Sequence, residues 1–301
     1  MGGTRFVGKT LLAKFQGGKN DITLFTRGIN QIPDNVQHLI GDRGNNSDLE
    51  KLKGKNFDVI VDSSGRSLED TQKVINYIGK PRHRLLYVSS AGIYSHDDIY
   101  PFDEFSAIDL KSRHIGKVET ERWLSDQGIP FTSFRPTYIY GPGNYNPIEK
   151  WFFDRITYRR TIPIPGDGQF VTQLGHVQDL ADAMFLSLEK EIALNKIYNC
   201  SSDKGITFMG ILKISAEICG IDPCDLPLKK INPEKLNSKS RKLFPIRTNN
   251  FFTDISKIKN DLNWLPNYTI KDGFKESYEK DYLLLEENNV DFSLDNQVLE
   301  V

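Results

Sequence analysis

Two short stretches hold the residues most able to do chemistry. The first, "GGTRFVG" (2–8), is a glycine-rich turn running into a helical pattern. Such a turn lets backbone approach a pyrophosphate while the amides of the helix N-terminus face its charge, which makes Gly2, Gly3 and Gly8 candidate nucleotide-binding positions. Arg5 stands where a dinucleotide-binding turn has its middle glycine, so a bulky cation replaces the residue that permits close approach. The second stretch, "KSRHIGKVETE" (111–121), sets Arg113, Lys117 and Glu121 at single-turn spacing on a helix. A lysine there can lower the pKa of a neighbouring hydroxyl. Arg113 stays cationic at any useful pH and cannot act as a general base.

Other candidates close the strands. Arg27 in "FTRG" occupies the place where an aspartate or glutamate would hold the 2′-hydroxyl of NAD, and an arginine there suits a 2′-phosphate. NADP is therefore the expected dinucleotide. Asp42 in "IGDRG" either accepts from an adenine amine or shapes its own turn. His38, His83, His96, His114 and His176 are scattered without metal-ligand spacing, and no metal site is proposed. "WFF" at Trp151, Phe152 and Phe153, followed by Arg155, Arg159 and Arg160, could stack bases, but such a helical triplet reads first as core.

These residues need a scaffold, and its pattern is legible. "DITLFTR" (21–27), "VQHLIGD" (36–42), "FDVIVDSS" (57–64), "RLLYVSS" (84–90) and "PFTSFRP" (130–136) read as strands, and helical segments separate them. That alternation predicts an α/β fold: a Rossmann-like, doubly wound parallel sheet with a smaller C-terminal α/β lobe. Only Met1 precedes the glycine turn, so the strand that should feed it is expected to be missing from this chain and to lie upstream. The dinucleotide-type domain is expected over 1–140 and roughly 170–202, the smaller lobe over roughly 141–169 and 203–287, and an acidic tail over 288–301.

Composition narrows the function classes. The chain has 301 residues and a net charge of −1, so no global excess of positive charge argues for a polyanion partner. Locally, "KKINPEKLNSKSRKLFPIR" (229–247) is basic and "EENNVDFSLDNQVLEV" (286–301) is acidic, and both read plainly as solvated surface. If RNA is held by a local basic surface, Lys239, Arg241 and Lys242 are its sequence candidates. No apolar run is long enough to span a membrane, and no signal or transit pattern is visible. The three cysteines form no CxxC pair, which fits a reducing compartment.

"GGTRFVG", "YVSSAGIY", "SFRPTYIYGPGN", "GHVQDLADA" and "LNWLPNYTIKDGFKESYEKDY" resemble the extended short-chain dehydrogenase/epimerase superfamily over almost the whole chain. "TLFTRG", "KSRHIGKVETE", "YIYGPGNYNPIEKWFF" and "QLGHVQDLA" are similar to one atypical branch of it, the chloroplast stem-loop-binding proteins and their cyanobacterial relatives. The resemblance implies association with structured RNA, an endoribonuclease activity, and roles in transcript stability and at the ribosome. It also implies self-assembly or assembly with a paralogue, in a cyanobacterial-type cytoplasm or, alternatively, a plastid stroma. The superfamily's catalytic set falls on Ser90 and Lys117, but its tyrosine position is Arg113, so the set is expected to be vestigial and redox chemistry lost. Tyr94 and His114 do not sit at the tyrosine's spacing. The rival readings are an NADP-dependent nucleotide-sugar epimerase or dehydratase, and a ribonucleoprotein scaffold without catalysis.

Overall fold

The computed structural model describes residues 1–95, 99–285 and 289–300; His96, Glu286, Glu287, Asn288 and Val301 of the segments named above lie outside them. In chain order the first elements are α1 (Phe6–Gln16), β1 (Thr23–Thr26), β2 (Gln37–Ile40), α2 (Asn46–Leu49), β3 (Val59–Asp62), α3 (Leu68–Ile78), β4 (Arg84–Val88), α4 (Ile115–Asp126) and β5 (Phe131–Pro136). The chain divides into two compact units. Unit 1 comprises Met1–Thr137, Val177–Ser201 and Thr253–Pro266.

In unit 1, strand Lys196–Cys200 pairs with β5, β5 with β4 and β4 with β3, all in parallel. Every residue of β4 and β5 is buried, as central strands covered on both faces require. α3 starts at a capping box, with Ser67 accepting from the Asp70 amide and the Asp70 carboxylate returning to the Ser67 amide. Its Ile75 joins Leu124, just before the C-terminus of α4, against Ile60, Leu85, Tyr87 and Phe131 of the sheet. The doubly wound parallel α/β architecture is present.

β1 and β2 form a separate parallel pair. The N-terminal residues lie between the two sheets. Met1 donates its amino group to Val61 O at 2.8 Å and accepts from Ser63 N at 3.3 Å, while a Cβ on Gly3 would come within 2.5 Å of Leu24 on β1.

The segment Thr253–Pro266 belongs to unit 1, whereas the sequence reading put it in the smaller lobe. Its helix Ser256–Leu262 sits against strand Lys196–Cys200. Lys257 donates to Ile197 O at 2.8 Å, and Tyr198 donates to Asp261 at 2.9 Å.

Unit 2 comprises Tyr138–His176, Ser202–Phe252 and Asn267–Val301. Trp151, Phe152 and Phe153 are buried in its core with Phe208, Phe244 and Phe274, so the aromatic triplet is packing and presents no stacking platform. The acidic tail differs from its solvated expectation. Ser293–Leu299 is a helix whose Val298 is fully buried, and Asp295 takes a buried bidentate ion pair from Arg155 at 2.7 and 2.8 Å. No helix among the described residues is long and apolar enough to cross a membrane.

Candidate functional site

The glycine turn is built for close packing. Gly2 has φ +86°, in the region that favours glycine. A Cβ on Gly8 would lie 2.0 Å from Gly2 O, so only glycine lets α1 sit this tightly on the turn. Arg5 is the N-cap of α1 in extended conformation and is exposed. Asn30 Nδ2, in the loop that carries Arg27, reaches Thr4 Oγ1 at 3.4 Å. Arg27 itself is exposed just past β1. Asp42 is also exposed, and its carboxylate accepts from Gly44 N at 2.8 Å, so it shapes the turn after β2.

Next to these lies a carboxylate that the sequence reading did not single out. Asp62, the last residue of β3, accepts from both terminal nitrogens of Arg43 at 2.7 and 2.8 Å, from Ser64 N at 3.1 Å, from Gly65 N at 2.9 Å and from Thr71 Oγ1 at 2.8 Å. Arg43 also donates to Ser64 Oγ at 2.8 Å. Burial opposes ionisation of Asp62, but the Arg43 guanidinium and the Thr71 hydroxyl hold its carboxyl well below the usual range. The hub joins the ends of β2 and β3 to α3. Its one sequence signal is the aspartate closing the apolar run "VIVD".

Each position of the superfamily's redox set makes contacts within the fold. Ser90 is the N-cap of a single 3-10 turn, its Oγ accepting from Gly92 N at 3.1 Å. Lys117 donates to Val88 O at 2.5 Å and Gly65 O at 3.1 Å, and its ammonium lies 5.3 Å from the Tyr87 ring centroid. Burial lowers its pKa to about 8. Arg113 is exposed and donates Nε–H to His114 Nε2 at 3.1 Å. Tyr94 is no substitute base: it is buried, donates to Asn199 Oδ1 at 2.6 Å and accepts from Arg135 at 3.2 Å. Burial is the main reason its pKa is pushed up to about 12.

Glu121 is committed as well. It accepts from Arg135 NH2 at 2.6 Å and Ser133 Oγ at 2.7 Å in the interior of unit 1. The lysine and glutamate of "KSRHIGKVETE" therefore both bond within the fold, and the arginine at the tyrosine position cannot take a proton from a substrate hydroxyl.

In unit 2, Lys239, Arg241 and Lys242 are exposed around the short 3-10 helix Ser240–Leu243, with Arg241 Nε donating to Leu236 O at 3.1 Å. The helix Ser293–Leu299 packs on that 3-10 helix, so the acidic tail lies beside the basic stretch. Among the described residues no group of three or more His, Cys, Asp or Glu is placed to hold a metal ion.

Residues 1–201 match the family model described as the NAD dependent epimerase/dehydratase family. The chain belongs to that family. It is 39% identical over 298 residues to the chloroplast stem-loop binding protein of 41 kDa b from Arabidopsis thaliana, covering 94% of this chain and 78% of that protein. That similarity puts it in the stem-loop-binding branch. The fold is shared with a UDP-glucose 4-epimerase from Thermotoga maritima at a TM-score of 0.77 and 19% identity, covering 95% of this chain and 98% of the other. A dTDP-glucose 4,6-dehydratase from Bacillus anthracis, solved in complex with NAD, matches with a TM-score of 0.76 and 19% identity over 95% and 96% of the two chains.

Proposed function

We propose that this protein binds structured RNA of the stem-loop kind on a dehydrogenase scaffold that has lost hydride chemistry. The observation that carries the reading is Arg113 at the tyrosine position, within a chain 39% identical to a stem-loop binding protein. An arginine cannot be the base, Lys117 is held by two carbonyls, and Tyr94 is buried in a network of its own. With a net charge of −1, phosphate contacts must come from local cationic surface, to which the exposed Lys239, Arg241 and Lys242 contribute.

NADP(H) is the dinucleotide that the glycine turn with Arg5 and Arg27 suits, as a bound nucleotide rather than a turned-over one. Processing or protection of transcripts, ribosome association, and assembly with itself or a paralogue extend the same reading. The chloroplastic relative supports a plastid-type setting, and a cyanobacterial cytoplasm is the other.

The test is a titration of a labelled stem-loop against an unstructured RNA of equal length, over a range of salt concentrations, with a gel to score cleavage. Tighter, strongly salt-dependent stem-loop binding is expected. Absence of binding at low salt, or epimerisation of a nucleotide sugar by the same preparation, would overturn the proposal.

A further inference from the structure

Three departures from the dinucleotide and redox pattern of the family are of one kind. Arg5 replaces the middle glycine of the turn, Arg27 the ribose-binding acid, and Arg113 the tyrosine. Neighbouring contacts within unit 1 connect these positions along one rim. Asn30, near Arg27, meets Thr4 beside Arg5. A Cβ on Gly2 would fall 2.9 Å from Ser63 Oγ and 3.0 Å from Ser64 Cβ, so the glycine turn abuts the loop after β3. Arg43 reaches the same loop at Ser64. That loop continues into Arg66, whose carbonyl oxygen lies 2.8 Å from where Gly116 would carry a Cβ, in the first turn of α4 just past Arg113.

Arg27, Arg5, Arg43, Arg66 and Arg113 thus follow one another along the strand ends of unit 1. All but Arg43 are exposed. Three carboxylates nearby have partners of their own. Asp62 holds Arg43, Asp70 accepts from the backbone amides of Arg66 and Ser67, and Asp42 accepts from Gly44 N. Arg27, Arg66 and Arg113 put three exposed guanidinium groups on this rim.

We infer that this arginine rim is the surface on which the protein holds the phosphodiester backbone of RNA, an inference that rests on the RNA reading above. Ligands of doubly wound sheets gather outside the carboxyl ends of the strands. Guanidinium forks pair bidentately with phosphate oxygens. A dinucleotide offers phosphates at one place, by Arg5 and Arg27, whereas an RNA strand offers a row of them that the whole row of arginines matches. RNA and NADP(H) therefore compete for Arg5 and Arg27.

The experiment combines a variant with a measurement that needs none. In the triple variant Arg27→Gln, Arg66→Gln, Arg113→Gln, stem-loop affinity at moderate salt should fall by about ten-fold or more. The salt slope should flatten by about two to three, since each phosphate contact contributes a little under one. Mobile exposed charges contribute little to stability, so the unfolding midpoint should stay near that of the parent. In the parent, bound RNA should slow amide hydrogen exchange over 63–67 and 111–116. A triple variant that binds with parental affinity and slope would overturn the inference while leaving the RNA reading intact, as would exchange protection confined to 229–247. A parent that binds no stem-loop removes the RNA reading itself, and the rim with it.

Discussion

The two cationic surfaces of this protein are made in opposite ways. In unit 2 the charge is contiguous in sequence, from Lys229 to Arg247, and it is rich in lysine. In unit 1 it is assembled from single arginines at 5, 27, 43, 66 and 113, each in a neutral or mixed neighbourhood, and brought together by the strand ends of a parallel sheet. The contiguous surface is also partly answered within its own unit. The tail helix Ser293–Leu299 lies against it, and Lys229 donates to Leu299 O. On the rim the one buried carboxylate, Asp62, is consumed by one arginine. A run of charge in sequence is therefore a poor guide to where the fold gathers cations from separate segments, and the way to break this comparison is to perturb each surface separately.

The largest effect is expected at the carboxylate that builds the rim. Asp62→Asn leaves Arg43 partly buried without its counter-charge and should cost about 3–5 kcal/mol, read by urea unfolding at pH 7. The pH dependence gives a second readout. The folded-state pKa of Asp62 lies below its ordinary value. Its stabilisation is therefore fully present above the unfolded pKa of about 4 and is lost as pH falls toward the folded one. The difference between parent and variant should narrow in acid. A difference that holds constant down to pH 3 would mean that Asp62 acts by packing alone.

An intermediate effect is expected in unit 2. Replacing Lys239, Arg241 and Lys242 together with glutamine should weaken stem-loop binding by roughly three-fold, with a change in salt slope of about one or less. The tail helix packs on the 3-10 helix that carries them, so acidic residues lie beside these cations. If this variant loses more affinity than the rim variant, the order of the two surfaces is reversed.

How much of this was legible follows from how each feature is encoded. The strands β1 to β5, which fall in two parallel sheets, are short runs bounded by polar residues, and a chain-local pattern suffices to find them. Gly8 and the turn are visible because glycine there is a steric necessity. Arg113 was readable because one residue in a fixed spacing decides whether a proton can be taken. Arg43 and Arg66 were not, because their meaning depends on which strand ends become neighbours, a property of topology. The tail misled for a related reason. Its composition is that of solvated chain, but the pairing of Asp295 with Arg155 spans 140 residues. The apolar Leu294 and Val298, at helical spacing, were the local signal that it folds back. For Thr253–Pro266, Ile258 and Leu262 reveal a helix, and nothing local says which unit it covers.

The smallest effect sharpens the comparison most, because it separates a cation that can serve a ligand from one the fold has used up. Lys117 lies near the rim, with its backbone segment between Arg113 and Glu121, yet its ammonium is spent on Gly65 O and Val88 O. Lys117→Met should leave RNA affinity and salt slope unchanged within about two-fold. Stability at pH 7 should shift by only about 1 kcal/mol, because losing two charged hydrogen bonds is offset by no longer burying an ammonium. Titration shows the sign. With a folded pKa of about 8 against an ordinary value of 10.5, the unfolded chain binds more protons between those two pH values. The parent must therefore gain stability as pH rises through that window. The variant should lack that gain, which urea unfolding at pH 7 and pH 9.5 would show. Should Lys117→Met instead lose RNA affinity as severely as the rim variant, Lys117 would have to leave its carbonyls to meet phosphate, and the rim would extend into the old catalytic position.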